Sequence, residues 1–175
     1  LLLADIVGPE GKVLAFEANP YMAELARRSV EINGFNSNTA LHSVALGAQE
    51  GFVTLSMHDG LTGGATAAVV SKGLLSRFRS RVARQRRGEV AATPHKMAMR
   101  TFDSFDHAMD VEFIKMDVEG FEPLVWEGMT KLLDRNRPLT IFVEFRVSRL
   151  ADPGMFWEAF EARGFAINRI DYFNG

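Results

Sequence analysis

Apolar runs of strand length alternate along the chain with segments in which apolar residues recur at helical spacing. The runs predict strands at 12–17, 39–46, 52–57, 97–102, 111–118, 139–145 and 165–170. Helical spacing, together with Asn, Pro and Gly residues at the boundaries, predicts helices at 1–7, 20–33, 123–133 and 153–163. Because strands and helices alternate, we predict an α/β fold with a doubly wound, mostly parallel sheet. The run at 52–57 follows a turn at 47–51, so we expect a returning strand there.

Length and composition indicate one globular domain. The chain has 175 residues, of which 47% are hydrophobic and 24% are charged, as in ordinary globular proteins. We find no apolar run of 18 residues, so no transmembrane span is predicted. The chain has no cysteine, which excludes disulfides, thiolate metal sites and cysteine nucleophiles. This composition is consistent with the cytoplasmic location that we predict.

A basic segment interrupts an otherwise acidic chain. The net charge is −2, but residues 72–87 contain seven Lys or Arg and no acid, which leaves −9 on the rest. The negative total argues against general nucleic-acid binding. An apolar stripe within this segment predicts a basic amphipathic helix, formed by Leu74, Leu75, Phe78 and Val82. We predict that residues 59–96 are a flexible basic insert in the single domain 1–175. Its basic part is either a solvated surface helix or disordered lid, or a contact for an anionic substrate, an acidic partner or a membrane surface.

Three acids each follow an apolar strand: Glu17, Asp117 and Glu144. Ligands of open parallel sheets bind outside the carboxyl ends of the strands, so we expect these acids at one rim. Burial of several acids together is expected to raise the pKa of at least one carboxyl group. Glu17 could accept hydrogen bonds from the ribose hydroxyls of a nucleotide, although a solvated acid at a strand end is the simpler interpretation.

The densest cluster of charge follows the strand at 111–118. Asp117 or Glu119 could orient the ammonium group of a cofactor or accept a proton from a substrate hydroxyl. Lys115 is expected to form a salt bridge with this pair. For Glu122 we favour a structural role in the first helical turn, where a carboxylate is stabilised by the helix dipole. No metal site is predicted, because the four histidines are scattered.

A glycine-rich stretch contains Gly60, Gly63 and Gly64. It does not lie between a clear strand and a helix, which a phosphate-binding loop requires. We therefore predict no phosphate loop there.

Several stretches resemble FkbM-type methyltransferases: residues 13–20, Asn33, 44–47, 141–144 and, above all, the Lys-x-Asp-x-Glu-Gly-x-Glu pattern at 115–122. The resemblance implies a class I, Rossmann-like fold, S-adenosylmethionine as methyl donor, and O-methylation of a sugar or natural-product hydroxyl. It also implies cofactor-binding residues: Glu17 at the ribose, Asn19 beside it, Val44 and Ala45 flanking the adenine, and Asp117 near the methionine end. Asp117 or Glu119 would then be the catalytic base, and Glu144 would shape the pocket.

One departure from the family pattern concerns its first strand and glycine-rich turn, which are not found before Glu17. We therefore expect the central first strand to be absent from this chain, and one further strand of the family fold to be absent after the strand at 165–170. The chain is then expected to be a fragment that binds cofactor weakly and is inactive alone. Two alternatives remain open. One is a nucleotide-dependent oxidoreductase with Glu17 on the ribose, and the other is a non-catalytic remnant or interaction module.

Overall fold

The computed structural model describes residues 1–57, 66–68, 93–105, 110–135, 138–144 and 152–170. Its helices are α1 Leu2–Val7, α2 Pro20–Ile32, α3 Glu122–Glu127, α4 Thr130–Leu133 and α5 Pro153–Glu161. Its strands are β1 Val13–Phe16, β2 Thr39–His42, β3 Ala45–Leu46, β4 Gly51–Met57, β5 Thr66–Ala68, β6 Thr93–Arg100, β7 Phe113–Met116 and β8 Thr140–Val143. A short 3₁₀ helix covers Phe102–Ser104.

These strands form three sheets. Strands β1 and β2 are parallel, as are β7 and β8. The third sheet has the order β3-β6-β4-β5, in which β4 is antiparallel to both of its neighbours. The α/β class is therefore confirmed. Within the described residues, however, the strands lie in three separate sheets instead of the single doubly wound sheet that alternation predicted, and one of these sheets contains antiparallel pairs.

Two of the three parallel pairs, β1–β2 and β7–β8, belong to strand–helix–strand units, and the third is β3–β6. In the first unit, β1–α2–β2, Asn19 caps α2 and Pro20 is its first residue, as predicted. The second unit is β7–α3–α4–β8. Asn38 fastens the first unit to α1, because its side-chain amide donates to Ala4 O at 2.8 Å and to Gly8 O at 2.9 Å. Asn38 is 6% exposed, and a buried amide with two such bonds fixes how the helix packs.

The predicted strand at 39–46 is in fact two short strands in different sheets. Val44 N donates to His42 O, so the chain turns there, and β3 then pairs with β6. The returning strand β4 is present, but β6 lies between it and β3. The turn at 47–51 therefore does not join neighbouring strands.

The predicted helix at 123–133 is interrupted at Gly128. A Cβ atom at this position would lie 2.1 Å from Gly47 O, so the backbones meet there without room for a side chain. Gly128 O also accepts a hydrogen bond from Asp103 N at 3.1 Å. This contact with neighbouring segments separates α3 from α4.

The predicted strand at 165–170 is irregular instead. Its first residue, Phe165, packs edge-on against Trp126 and Phe160, with ring centroids 5.7 and 5.8 Å apart. In the part of the chain that the structure describes, this segment pairs with no strand. The segment is therefore held by aromatic contacts of Phe165 and not by hydrogen bonds to a neighbouring strand of the described structure.

The predicted insert at 59–96 includes strand β5 and the first half of β6. The amphipathic helix, the Lys and Arg residues at 72–87 and the three glycines at 60–64 lie outside the described residues. No helix in the described ranges is long and apolar enough to cross a membrane.

Two hydrophobic clusters form the core. The smaller one joins β3, β4 and β6 through Ala45, Val53, Leu55 and Met99. The larger one consists of eight buried residues: Phe102, Met116, Val125, Trp126, Met129, Leu132, Phe156 and Phe160. Strands from both parallel units pack against this larger cluster.

Candidate functional site: an acid rim

The three strand-end acids border one hydrophobic cluster. Met116, before Asp117, belongs to the larger cluster. Phe16, before Glu17, and Val143, before Glu144, are partly buried and pack against it. Met116 and Val143 are also register partners, and Glu144 N donates to Met116 O at 2.9 Å. Asp117 and Glu144 therefore follow adjacent strands at the same end. We call Glu17, Asp117 and Glu144 the acid rim.

Glu17 is half-buried and takes part in the start of α2. Its Oε1 accepts a hydrogen bond from Asn19 N at 2.7 Å, and Asn19 Oδ1 accepts from Tyr21 N and Met22 N. The predicted capping role of Asn19 is confirmed. Within the described residues, the bond from Asn19 N is the hydrogen bond that the Glu17 side chain makes. Its other oxygen, Oε2, can therefore accept hydrogen bonds from a ligand.

An aromatic group lies behind Glu17. The Phe16 and His42 rings are stacked with centroids 5.2 Å apart, and the Phe105 ring contacts both at 4.9 and 4.8 Å. The Arg100 guanidinium covers Phe105 at 4.3 Å from the ring centroid, a favourable cation–π distance. These contacts fix the strand ends from which Glu17 projects.

The predicted adenine-flanking residues have their side chains directed into the protein. Val44 and Ala45 are each 7% exposed, and Ala45 belongs to the smaller core cluster. This exposed fraction covers the backbone as well as the side chain, so only a small part of either residue is open to a ligand. Their place beside the adenine stays a prediction.

Asp117 is exposed at the end of β7. Lys115 Nζ lies 3.3 Å from Asp117 Oδ2, so the predicted salt bridge of Lys115 is confirmed. An exposed pair of this kind contributes about 0–1 kcal/mol. Glu144 is exposed as well. The burial expected of the rim acids is therefore wrong for these two, because each strand ends before its acid.

A tight turn joins β7 to α3. Phe121 N donates to Val118 O at 3.2 Å, which closes a four-residue turn over 118–121. Both central residues have positive φ, 53° at Glu119 and 99° at Gly120. Such a turn favours Gly or Asn, and a left-handed residue with a Cβ costs about 1–2 kcal/mol. Glu119 is half-buried, and its Oε2 is enclosed by protein.

The carboxylate of Glu122 closes this turn from the helix side. Its Oε1 accepts hydrogen bonds from Val118 N at 3.3 Å and from Gly120 N at 3.2 Å. Glu122 is the first residue of α3 and is 2% exposed. Its predicted place in the first helical turn is confirmed, but sequence reasoning missed that the carboxylate bonds backwards to the turn. The signal was an acid two residues after a turn glycine.

Two cavities within the described part of the chain lie away from the acid rim. One of about 430 Å³ opens at the amino ends of β7 and β8, where Glu112, Arg135 and Thr140 line it. The other, of about 390 Å³, lies beside β4 and β6. Neither is lined by a predicted site residue. In the described ranges, no group of three or more His, Asp or Glu residues is arranged to hold a metal ion.

Parallel strand–helix–strand units with acids at the carboxyl ends of the strands are typical of ligand-binding α/β proteins. A family model described as the methyltransferase FkbM domain matches residues 1–167 of this chain. The chain therefore belongs to the FkbM methyltransferase family, as the pattern at 115–122 predicted. Comparisons with curated proteins and with solved structures gave no match.

Proposed function

We propose that this protein is an S-adenosylmethionine-dependent methyltransferase that methylates a hydroxyl group of a sugar or natural product, on a class I, Rossmann-like fold. Membership of the FkbM methyltransferase family supports the reaction class. The choice of donor and acceptor rests on the family resemblance and on the chemistry of the acid rim.

One observation carries the proposal for the site. Asp117 and Glu144 follow the adjacent parallel strands β7 and β8 at the same end, and Glu17 follows a strand whose last residue, Phe16, packs against the same hydrophobic cluster. Parallel sheets bind their ligands at this end of the strands. A site with several carboxylates suits a ligand that carries hydroxyl and ammonium groups, because carboxylates accept hydrogen bonds from both.

The residues present fit the proposed cofactor. Glu17 has an oxygen that can accept from the ribose hydroxyls, and exposed Asp117 can meet the ammonium group. Val44 and Ala45 would flank the adenine, as the family resemblance implies. Asn19 supports Glu17 through its amide N–H. The bound cofactor supplies an electrophilic methyl group on a sulfonium centre.

The protein would orient the acceptor hydroxyl and would supply a carboxylate that accepts its proton. An acceptor hydroxyl must lose its proton as its oxygen attacks, and a carboxylate of Asp117 or Glu119 can take that proton in the transition state. Holding the hydroxyl in line with the methyl group supplies much of the acceleration. Glu144, adjacent to Asp117 across the parallel pair, would shape the acceptor pocket.

The test uses the complete gene product, a methyl-labelled donor and the small-molecule fraction of a cell extract as acceptor. We expect Asp117→Asn or Glu119→Gln to lower methyl transfer about 100-fold or more, as loss of a general base does. Glu127→Gln, at an exposed position of α3, is the matched control and should transfer normally. Full transfer by both the Asp117→Asn and the Glu119→Gln variant would exclude both residues as the base, and no transfer by the unaltered protein would contradict the proposed function.

A further inference from the structure

We infer that Glu122 is a positioning residue: its buried carboxylate holds the 118–121 turn in the left-handed form that orients Asp117 and Glu119 for ligand binding. This inference rests on the proposed function of the acid rim. The turn itself is a property of the described structure, so the two parts can be tested separately.

The turn places a glutamate where the backbone favours another residue. Glu119 and Gly120 both have positive φ, and Asn or Gly is the common choice at the first of these positions. A strained residue of this kind persists where surrounding contacts hold it, and such residues concentrate at functional sites. A glutamate at this position is therefore explained by what its carboxylate does, because its backbone preference disfavours the turn.

Glu122 supplies the contacts that hold the turn. One carboxylate oxygen accepts from the amides of Val118 and Gly120, which flank Glu119. No side chain caps α3 at its N-cap residue Phe121, so the carboxylate of Glu122 serves the turn instead of a conventional cap. A carboxylate that is 2% exposed would be unstable without such bonds, which makes the turn and the buried acid interdependent.

The role distinguishes Glu122 from a residue that merely stabilises the helix. Val118 directly follows Asp117, so a change in the turn changes the direction of both carboxylates. Exposed Glu127 lies at the other end of the same helix and has no link to the turn. Glu127→Gln is therefore the matched control for every Glu122 variant.

The first measurement is hydrogen exchange at the amides of Val118 and Gly120 in the complete gene product. We expect Glu122→Ala to accelerate both about tenfold, because each amide loses a charged acceptor. Glu122→Gln keeps an amide oxygen at the same place and should stay within about threefold, as should Glu127→Gln. Unchanged exchange in Glu122→Ala would overturn the inference, whatever the ligand of the site.

The second measurement is the Kd of S-adenosylhomocysteine, taken where every variant is folded. Glu122→Ala should weaken binding about tenfold, Glu122→Gln should restore it to within about threefold, and Glu127→Gln should leave it unchanged. In a Glu119→Gly background the effect of Glu122→Ala should shrink to less than about threefold, because glycine adopts positive φ unaided. An undiminished effect in that background would contradict the positioning role. Absence of binding by the unaltered protein would instead contradict the proposed function.

Discussion

The two parallel strand–helix–strand units differ in how the chain passes from the first strand, through an acidic residue, into the helix. In β1–α2–β2, the acid Glu17 follows the strand and Asn19 caps a helix of 13 residues. In β7–α3–α4–β8, the strand passes into a left-handed turn, and the helix is broken into pieces of six and four residues. The first unit uses ordinary local preferences. The second unit goes against them at Glu119 and depends on the buried acid Glu122.

This difference suggests a division of labour between the two units. A regular unit gives a rigid support from which Glu17 projects. A unit with a strained turn directs several acids from one short segment, at a cost in stability that its contacts must offset. We therefore expect substitutions in the second unit to change the free energy of unfolding more than substitutions in the first unit do.

The largest effect is expected at the break between α3 and α4. Gly128→Ala would bring a Cβ atom against Gly47 O, where 2.1 Å separates them without relaxation. We expect a loss of about 3 kcal/mol in the free energy of unfolding, since the backbones must move apart. Gly34→Ala, at the end of α2, is the control. That site has open space but a φ of 76°, so it should lose about 1 kcal/mol. Equal losses in urea denaturation would contradict the close contact at Gly128.

The second prediction concerns the backbone conformation at Glu119 and at Glu17. Glu119→Gly and Glu119→Ala both remove the carboxylate, but only glycine accepts a positive φ without strain. The glycine variant should therefore be more stable than the alanine variant by about 1–2 kcal/mol. At Glu17, whose φ is not positive, the order should reverse. Urea denaturation of the four variants measures both differences, and the same order at both sites would refute the left-handed turn.

The third prediction tests the ordinary cap of the first unit. Asn19→Ala removes the acceptor for Tyr21 N and Met22 N and should lower the free energy of unfolding by about 1 kcal/mol. Asn19→Asp retains an acceptor and serves as the control, with little change expected. A neutral effect of alanine in thermal or urea denaturation would show that α2 does not depend on this cap.

The smallest effect is expected at the surface of α2. Hydrogen bonds from Arg28 and then Arg27 hold the pKa of the Glu24 carboxyl below its usual range. A depressed folded-state pKa adds stability above the unfolded pKa, and this stability is lost as the pH falls through the folded value. Carboxyl titration by NMR should show a lowered pKa for Glu24 that returns to normal in the double variant Arg27→Ala/Arg28→Ala. An ordinary pKa in the unaltered protein would contradict these contacts.

The sequence predicted the first unit better than the second for physical reasons. Asn19, Pro20 and Gly34 act through local backbone preferences, so their pattern gave the bounds of α2 closely. The break at Gly128 depends on Gly47, 81 positions earlier in the sequence, and no local pattern reports such a contact. The split at Ser43 and the position of β6 between β3 and β4 likewise depend on distant pairing.

The candidate site shows the same limit. The positions of Glu17, Asp117 and Glu144 directly after strands could be predicted, because a strand followed by an acid is a local pattern. Their common role in a site stays a prediction. The exposure of Asp117 and Glu144 could not be predicted, because it depends on where each strand ends against its neighbour. The role of Glu122 could not be predicted either, because it depends on the left-handed conformation of Glu119, which the backbone preference of glutamate disfavours.

Equilibrium binding of S-adenosylhomocysteine to the complete gene product tests the proposed cofactor site most directly. Isothermal titration should give a Kd of about 1–100 μM, with no comparable binding of NAD⁺. Glu17→Gln should weaken binding about tenfold or more, because a charged acceptor of the ribose hydroxyls is lost. Glu24→Gln on the surface of α2 should bind as the unaltered protein does. Preferential binding of NAD⁺, or unchanged affinity in Glu17→Gln, would contradict the assignment of the acid rim.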